Sequence, residues 1–193
     1  MTPLQELLRR AATDLDALGF GFALIGGLAV SVRSQPRFTA DVDLAVSVAS
    51  DKEAENLVRG LRDRGWRIEA LVEQEDTERL ATVRLLGEEE GAPVVDLLFA
   101  SSGLEPEIVA EAEALEVFPE QSIPVASLGH LVALKLLARN DLRPQDSADL
   151  RALVDVAEER DLAVARAAVG LIQQRGFARG RDLDAALAEL IET

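Results

Sequence analysis

Apolar residues recur three or four positions apart over the first eighteen residues, at Leu4, Leu7, Leu8, Ala11, Leu15 and Leu18. That spacing predicts a helix with one buried face. Gly19 ends the pattern, and the apolar run over 20–25 predicts a buried strand. Gly26-Gly27 then reads as the turn at the amino end of a helix over 28–33, with a second strand over 42–48. Ser50-Asp51-Lys52-Glu53 forms a capping box, and Ala54, Leu57, Val58 and Leu61 give the next helix its apolar face before Gly65 stops it.

Strands are predicted over 66–72, 80–86 and 93–100. The turn Gly87-Glu88-Glu89-Glu90-Gly91 joins the last two into a hairpin that returns Asp96 to the sheet. A helix over 104–115 and a short edge strand over 116–118 precede Ile123-Pro124. From Ser127 onward the pattern is helical, with helices expected over 127–139, 146–159, 161–175 and 181–191. There is no internal repeat. The expected architecture is an α/β (α+β) unit over 1–125 and a helical region over 126–193 packed against it.

Composition narrows the chemistry. The 193 residues are 48% apolar, enough for a sizeable core. The absence of cysteine excludes disulfides, thiolate catalysis and cysteine-ligated zinc. A single histidine, His130, argues against a histidine metal site or a serine–histidine relay. The amino terminus lacks a secretory-signal layout, and the uncharged stretch over 20–32 is too short to span a bilayer, so a cytoplasmic protein without membrane association is expected. A net charge of −15 opposes broad capture of nucleic acid, though it leaves room for a local basic cleft. Of 20 basic residues 18 are arginine, which singles out the two lysines, Lys52 and Lys135.

Asp41-Val42-Asp43 follows Gly26-Gly27 by fourteen residues. Residues two apart in a strand share a face, so Asp41 and Asp43 stand side by side. Neighbouring carboxylates repel unless a cation lies between them, and hard divalent cations prefer oxygen ligands. Asp96 is a lone charge in the apolar run Val94-Val95-Asp96-Leu97-Leu98-Phe99. It reads either as a third carboxylate of one metal site, serving as general base, or as the ion-pair partner of an arginine such as Arg84. Gly26 and Gly27 let backbone amides approach phosphate oxygens at a helix amino end, or form only a tight turn.

Arg37 can neutralise phosphate charge and Thr39 can orient its loop; each reads equally as an ordinary surface arginine and turn threonine. Lys135 sits in the apolar helix Leu131-Val132-Ala133-Leu134-Lys135, where an ammonium must meet an anion or snorkel to the edge. Asp146 reads as a helix cap, with Asp149 near the same amino end. His130 is expected to pack or cap locally, and Glu88-Glu89-Glu90 to form a solvated turn.

Together, Gly26-Gly27, Thr39-Ala40-Asp41-Val42-Asp43-Leu44, Val95-Asp96-Leu97 and Leu131-Val132-Ala133-Leu134-Lys135 resemble the nucleotidyltransferase superfamily, and within it the AbiEii-like, toxin-type group. Arg143 to Asp149 looks like that group's Arg-x-x-Asp-x-x-Asp stretch. The resemblance implies a mixed sheet flanked by helices and transfer of a nucleoside monophosphate from an NTP to an acceptor hydroxyl, with release of pyrophosphate. It implies Asp41, Asp43 and Asp96 as ligands of Mg²⁺ (or Mn²⁺), Gly26 and Gly27 near the phosphates, Lys135 on the triphosphate, and Asp146 at the active site. Glycine stands at Gly27 where many members have serine. The acceptor can be RNA, a protein side chain or a small hydroxyl compound, and an antitoxin protein is an expected partner. The competing readings are a catalytically silent module that binds nucleotide or protein, and an antitoxin-like chain using its helical tail as an interface.

Overall fold

The computed structural model describes residues 1–73, 79–87, 93–139 and 144–192. Chain order is α1 (Pro3–Leu18), β1 (Phe22–Ile25), α2 (Gly26–Arg33), β2 (Val42–Val46), α3 (Asp51–Asp63), β3 (Arg67–Glu73), β4 (Leu80–Leu86) and β5 (Val94–Leu98). It continues with α4 (Glu105–Ala110), β6 (Glu113–Phe118), β7 (Gln121–Val125), α5 (Leu128–Ala138), α6 (Pro144–Val154), α7 (Glu159–Gln174) and α8 (Leu183–Glu192). The strands form one mixed sheet in the order β3-β4-β5-β2-β1-β7-β6. This is the α/β architecture with a helical carboxy-terminal region that the hydrophobic periodicity predicts.

The order follows from how each strand is buried. All four residues of β1 are buried, as a strand flanked on both sides and covered on both faces requires. β4 and β5 alternate buried and half-buried positions, so Val83, Leu85, Val95 and Leu97 face the core while Arg84 and Asp96 face away from it. β3, on the edge, is largely exposed. Helices α1 and α3 contact each other, with α1 also on β2 and β5 and α3 on β4. α5 buries Leu128, Leu131, Val132, Ala133, Leu136 and Leu137, being surrounded by α2, α6, α7 and α8. A single apolar cluster runs from Leu7 through the central strands to Leu187, so sheet and helical region share one core.

Two elements differ from the sequence pattern. The helix expected over 104–115 stops at Ala110, and Glu113–Phe118 is instead strand β6, paired antiparallel with β7. Glu113–Phe118 is largely exposed, as an edge strand allows, and pairing with a neighbouring strand outweighs a weak helical spacing. β7 itself was not expected, because Pro124 removes a donor. It meets β1 only at its end, where Leu24 lies opposite Val125 and the Ala126 N–H donates to the Leu24 carbonyl at 3.0 Å, so the proline interrupts no bond on that side.

The hairpin expectation holds for its arms, with β4 antiparallel to β5. Its turn, including Glu88 to Glu90, lies outside the described residues, as does Arg143. The helices expected over 146–159 and 161–175 are found as Pro144–Val154 and Glu159–Gln174. Pro144 supplies the fixed φ that suits a first helical turn.

Leu44 is fully buried on β2 between β1 and β5. Leu44→Ala is expected to lower stability by about 2–5 kcal/mol, read from the urea midpoint with an unchanged slope. A loss well under 1 kcal/mol would mean that the site collapses around the deletion.

Candidate active site

A row of residues crosses the sheet on the face turned away from α1 and α3. Arg84 on β4 lies opposite Asp96 on β5, Asp96 opposite Asp43 on β2, and Asp43 opposite Ile25 at the end of β1. Ile25 leads directly into α2, whose first two residues are Gly26 and Gly27. The glycines therefore open the helix rather than forming a separate turn before it. They, the row and Asp41 all line a cleft of about 660 Å³, whose other walls carry Arg37, Phe38 and Thr39 from the α2–β2 loop and Leu131, Leu134, Lys135 and Asp146 from α5 and α6.

The glycines are dictated by close approach. Gly26 has φ +65, and a Cβ there would overlap the Asp43 carboxylate. A Cβ at Gly27 would overlap the Arg37 guanidinium and press on the Thr39 hydroxyl. Glycine thus accompanies an arginine folded back over the helix start, which accounts for its presence where a serine is common. The Gly27 N–H, at the positive amino end of α2, draws the Asp43 carboxyl slightly down.

The loop is tied down in turn. Ser31 donates its hydroxyl to the Gly27 carbonyl at 3.1 Å and accepts the Arg37 N–H at 3.3 Å. Thr39 donates to the Asp41 carbonyl at 3.4 Å, and Phe38, between Arg37 and Thr39, is 88% exposed at the cleft mouth.

Charge is dense here. Burial pushes the Asp43 carboxyl up to about 6, and the neighbouring Asp96 and Asp41 add to that, while Lys135 and the Gly27 N–H pull the other way. Both oxygens of Asp96 are taken by Arg84, Nε to Oδ1 at 2.8 Å and Nη2 to Oδ2 at 2.7 Å. Of the two readings of Asp96, the structure shows the arginine pair. The same contact holds the Arg84 guanidinium more firmly protonated.

Lys135 neither snorkels nor stands free. Its Nζ lies 3.0 Å from Asp146 Oδ1 and 2.7 Å from Asp149 Oδ2. Arg37 Nε approaches the other oxygen of Asp149 at 2.9 Å. Asp146 is not the cap expected of it, because α6 begins two residues earlier and the carboxylate turns inward to Lys135.

Asp149, which sequence reasoning left as a favourable charge near the helix start, is 1% exposed and grips both the loop arginine and the α5 lysine. Its signal was available. Asp149 immediately precedes Leu150, and with Leu153 these mark the buried face of α6. Arg84, Ser101, Ser102 and Arg179 also line the cleft without having been picked as site residues.

The fit to a divalent cation can be judged from the donors. Asp41 and Asp43 offer carboxylate oxygens on one wall, with Asp43 carrying excess negative charge from its neighbours. Two carboxylates completed by substrate oxygens and water suit Mg²⁺. Asp96 is engaged elsewhere, and among the described residues no group of three His, Asp or Glu side chains is placed to hold a metal by itself.

This geometry agrees with what the chain is similar to. Residues 6–192 match the family model for the AbiEii nucleotidyl transferase toxin of type IV toxin–antitoxin systems. The chain belongs to the AbiEii nucleotidyltransferase family. It is a nucleotidyltransferase of that family's fold. Solved structures share the architecture at low identity. An antigenic nucleotidyltransferase-like protein from Paracoccidioides brasiliensis is 19% identical with TM-score 0.53, over 98% of this chain and 92% of that one. The lincosamide adenylyltransferase LnuA, lincomycin-bound, is 17% identical with TM-score 0.50, over 79% and 97%. ANT(2")-Ia in complex with adenylyl-2"-tobramycin is 14% identical with TM-score 0.57, over 90% and 99%. No curated protein matches the chain in sequence. Among the described residues, no helix of this AbiEii-family chain is long and apolar enough to cross a membrane.

Two substitutions test the charge balance and the close approach. Asp43, raised to about 6 from a reference of 3.8, holds its proton more tightly in the folded chain. It therefore stabilises the fold below about pH 4 and loses that contribution as pH rises to about 6. In EDTA, Asp43→Asn is expected to flatten the fall in melting temperature across that window and to raise stability at pH 7, by at most about 3 kcal/mol. A variant no more stable than wild type at pH 7 would show the carboxylate to be fully compensated. Gly26→Ala combines a left-handed backbone with a steric overlap and is expected to lower stability by about 1–3 kcal/mol and to displace Asp43. An unshifted Tm would contradict the close approach.

Proposed function

We propose that this AbiEii-family chain moves a nucleoside monophosphate from an NTP to an acceptor hydroxyl, releasing pyrophosphate, as the toxin of a cytoplasmic pair with an antitoxin protein as its partner. One observation carries the reading. Asp43 and Asp96 are register partners on parallel strands beneath the start of α2, with Asp41 on the same wall and Lys135 on the cleft's helical wall. Asp41 and Asp43 would hold Mg²⁺ or Mn²⁺. When bound, such an ion supplies charge neutralisation for the triphosphate and polarises the phosphoryl group under attack.

The chain's own groups have separable tasks in this reading. Gly26 and Gly27 bring the α2 amide end to the phosphates without side chains in the way. Lys135 meets the triphosphate as a point charge, its direction fixed by Asp146 and Asp149. Arg37 approaches from the loop, anchored by Asp149, with Thr39 keeping the loop in place. Leu131, Leu134 and Leu137 give an apolar surface suited to a nucleobase.

Asp96 would accept the acceptor proton, or be a third ligand beside Asp41 and Asp43, with Arg84 turned from it to a phosphate oxygen. Carboxylate and phosphate accept the same guanidinium fork. We propose that 1–125 carries this chemistry and that 126–193, through Lys135 and Asp146, closes the cleft.

The acceptor is RNA, a protein or a small hydroxyl compound. The likeness to ANT(2")-Ia, solved with adenylyl-2"-tobramycin, favours trying small acceptors beside macromolecules. Each α-labelled NTP, incubated with Mg²⁺ and cell extract, is expected to label an acceptor fraction. Asp43→Asn is expected to cut labelling by a factor on the order of 10³. Equal labelling by variant and wild type would sink the assignment of Asp43.

A further inference from the structure

The cleft has a fourth cation that this mechanism leaves unused. Arg37, Arg84 and Lys135 each have a carboxylate within 2.9 Å. Arg179 lines the same cleft yet has no carboxylate partner among the described residues; its one polar contact is a 3.5 Å hydrogen bond from Nη2 to the Ser101 carbonyl. What sets it apart from the other basic residues without a carboxylate is that it lines the cleft.

Its placement is enforced. Arg179 has φ +54, a left-handed conformation that glycine adopts freely and other residues uncommonly, and Gly180 beside it has φ +70. The turn bearing it is fastened on both flanks. Before it, Phe177 is buried with its ring against Gly103, and Arg175 forks onto Glu107 at 2.6 and 3.0 Å and donates to the Gly103 carbonyl. After it, Arg181 donates to the Leu137 and Arg139 carbonyls at 2.9 and 3.0 Å, at the end of the helix that carries Lys135. The helical region thus clamps onto both the β5–α4 loop and the end of α5, and at the clamp a strained backbone presents a guanidinium to the cleft. Glu120 shares this conformation in the β6–β7 turn, so the backbone alone is not decisive; at Arg179 it coincides with a place on the cleft wall.

We propose that Arg179 is a substrate-binding residue that contacts the phosphate groups of the nucleoside triphosphate, supplied by the carboxy-terminal turn and independent of the Lys135–Asp146–Asp149 cluster. The inference rests on the triphosphate reading of the cleft. It assigns the turn between α7 and α8 a part in nucleotide binding that the amino-terminal motifs do not cover.

The test is equilibrium binding of α,β-methylene analogues of the four NTPs by calorimetry, in EDTA and in Mg²⁺, with the corresponding nucleosides as phosphate-free controls. Arg179→Gly suits the backbone, so the ligand-free melting temperature is expected to stay at the wild-type value. Its affinity for the triphosphate is expected to fall roughly tenfold or more in both buffers, with nucleoside binding unchanged and Arg179→Lys between the two. Triphosphate affinity equal to wild type in Arg179→Gly would overturn the proposal and leave the nucleotide reading standing. A lowered ligand-free melting temperature with equal losses in the Gly and Lys variants would make Arg179 a structural turn residue and also overturn it. Failure of the wild-type protein to bind any analogue in Mg²⁺ would instead remove the triphosphate reading beneath it.

Discussion

The parallel pairing of β2 with β5 is the constraint on which the site depends, because it sets Asp43 directly beside Asp96. Two carboxylates adjacent on a half-buried sheet face cost folding free energy, and the surrounding structure is arranged to contain that cost. Arg84, one strand further out, takes both oxygens of Asp96. On the other side the Gly27 N–H reaches Asp43 from the start of α2. What remains unrelieved is the raised carboxyl of Asp43, a charge that the proposed divalent cation would neutralise.

The cleft is also a meeting of two regions. Arg37 from the α2–β2 loop and Lys135 from α5 converge on Asp149 of α6, a carboxylate with almost no exposure of its own. A buried acid holding two cations fixes their directions without competing for ligand, which is how a surface group is pre-organised for anions. Losing Asp149 would leave Arg37 without its carboxylate and Lys135 with Asp146 alone. The net charge of −15 is therefore no guide to the cleft, whose lining sets four basic against four acidic side chains: Arg37, Arg84, Lys135 and Arg179 against Asp41, Asp43, Asp96 and Asp146.

Membership of the AbiEii family gives this arrangement its chemical class, and the shared fold with adenylyltransferases of low identity shows how far the same scaffold extends. Three features surround the motifs of this chain. Glycine at Gly27 makes room for Arg37, Arg84 masks Asp96, and a strained turn lays Arg179 along the cleft.

The local pattern by itself determined most of the elements and nearly all of the motif. A run of 3.6-residue periodicity specifies α1 and α3, short apolar runs specify β4 and β5, and Gly26-Gly27 with Asp41-Val42-Asp43 marks one wall of the cleft, because each depends on spacing within a few residues. Tertiary structure alone decided the rest. β6 and β7 exist through pairing with each other and β1, which outweighed a weak helical spacing and a proline. Whether Asp96 is free or held by Arg84, whether Asp146 caps a helix or binds Lys135, and that Asp149 bridges Arg37 and Lys135 depend on residues 11 to 112 positions apart. A carboxylate carries no local mark of its partner. Its role is set by which opposite charge the fold brings within about 3 Å, a long-range quantity that no window of sequence contains.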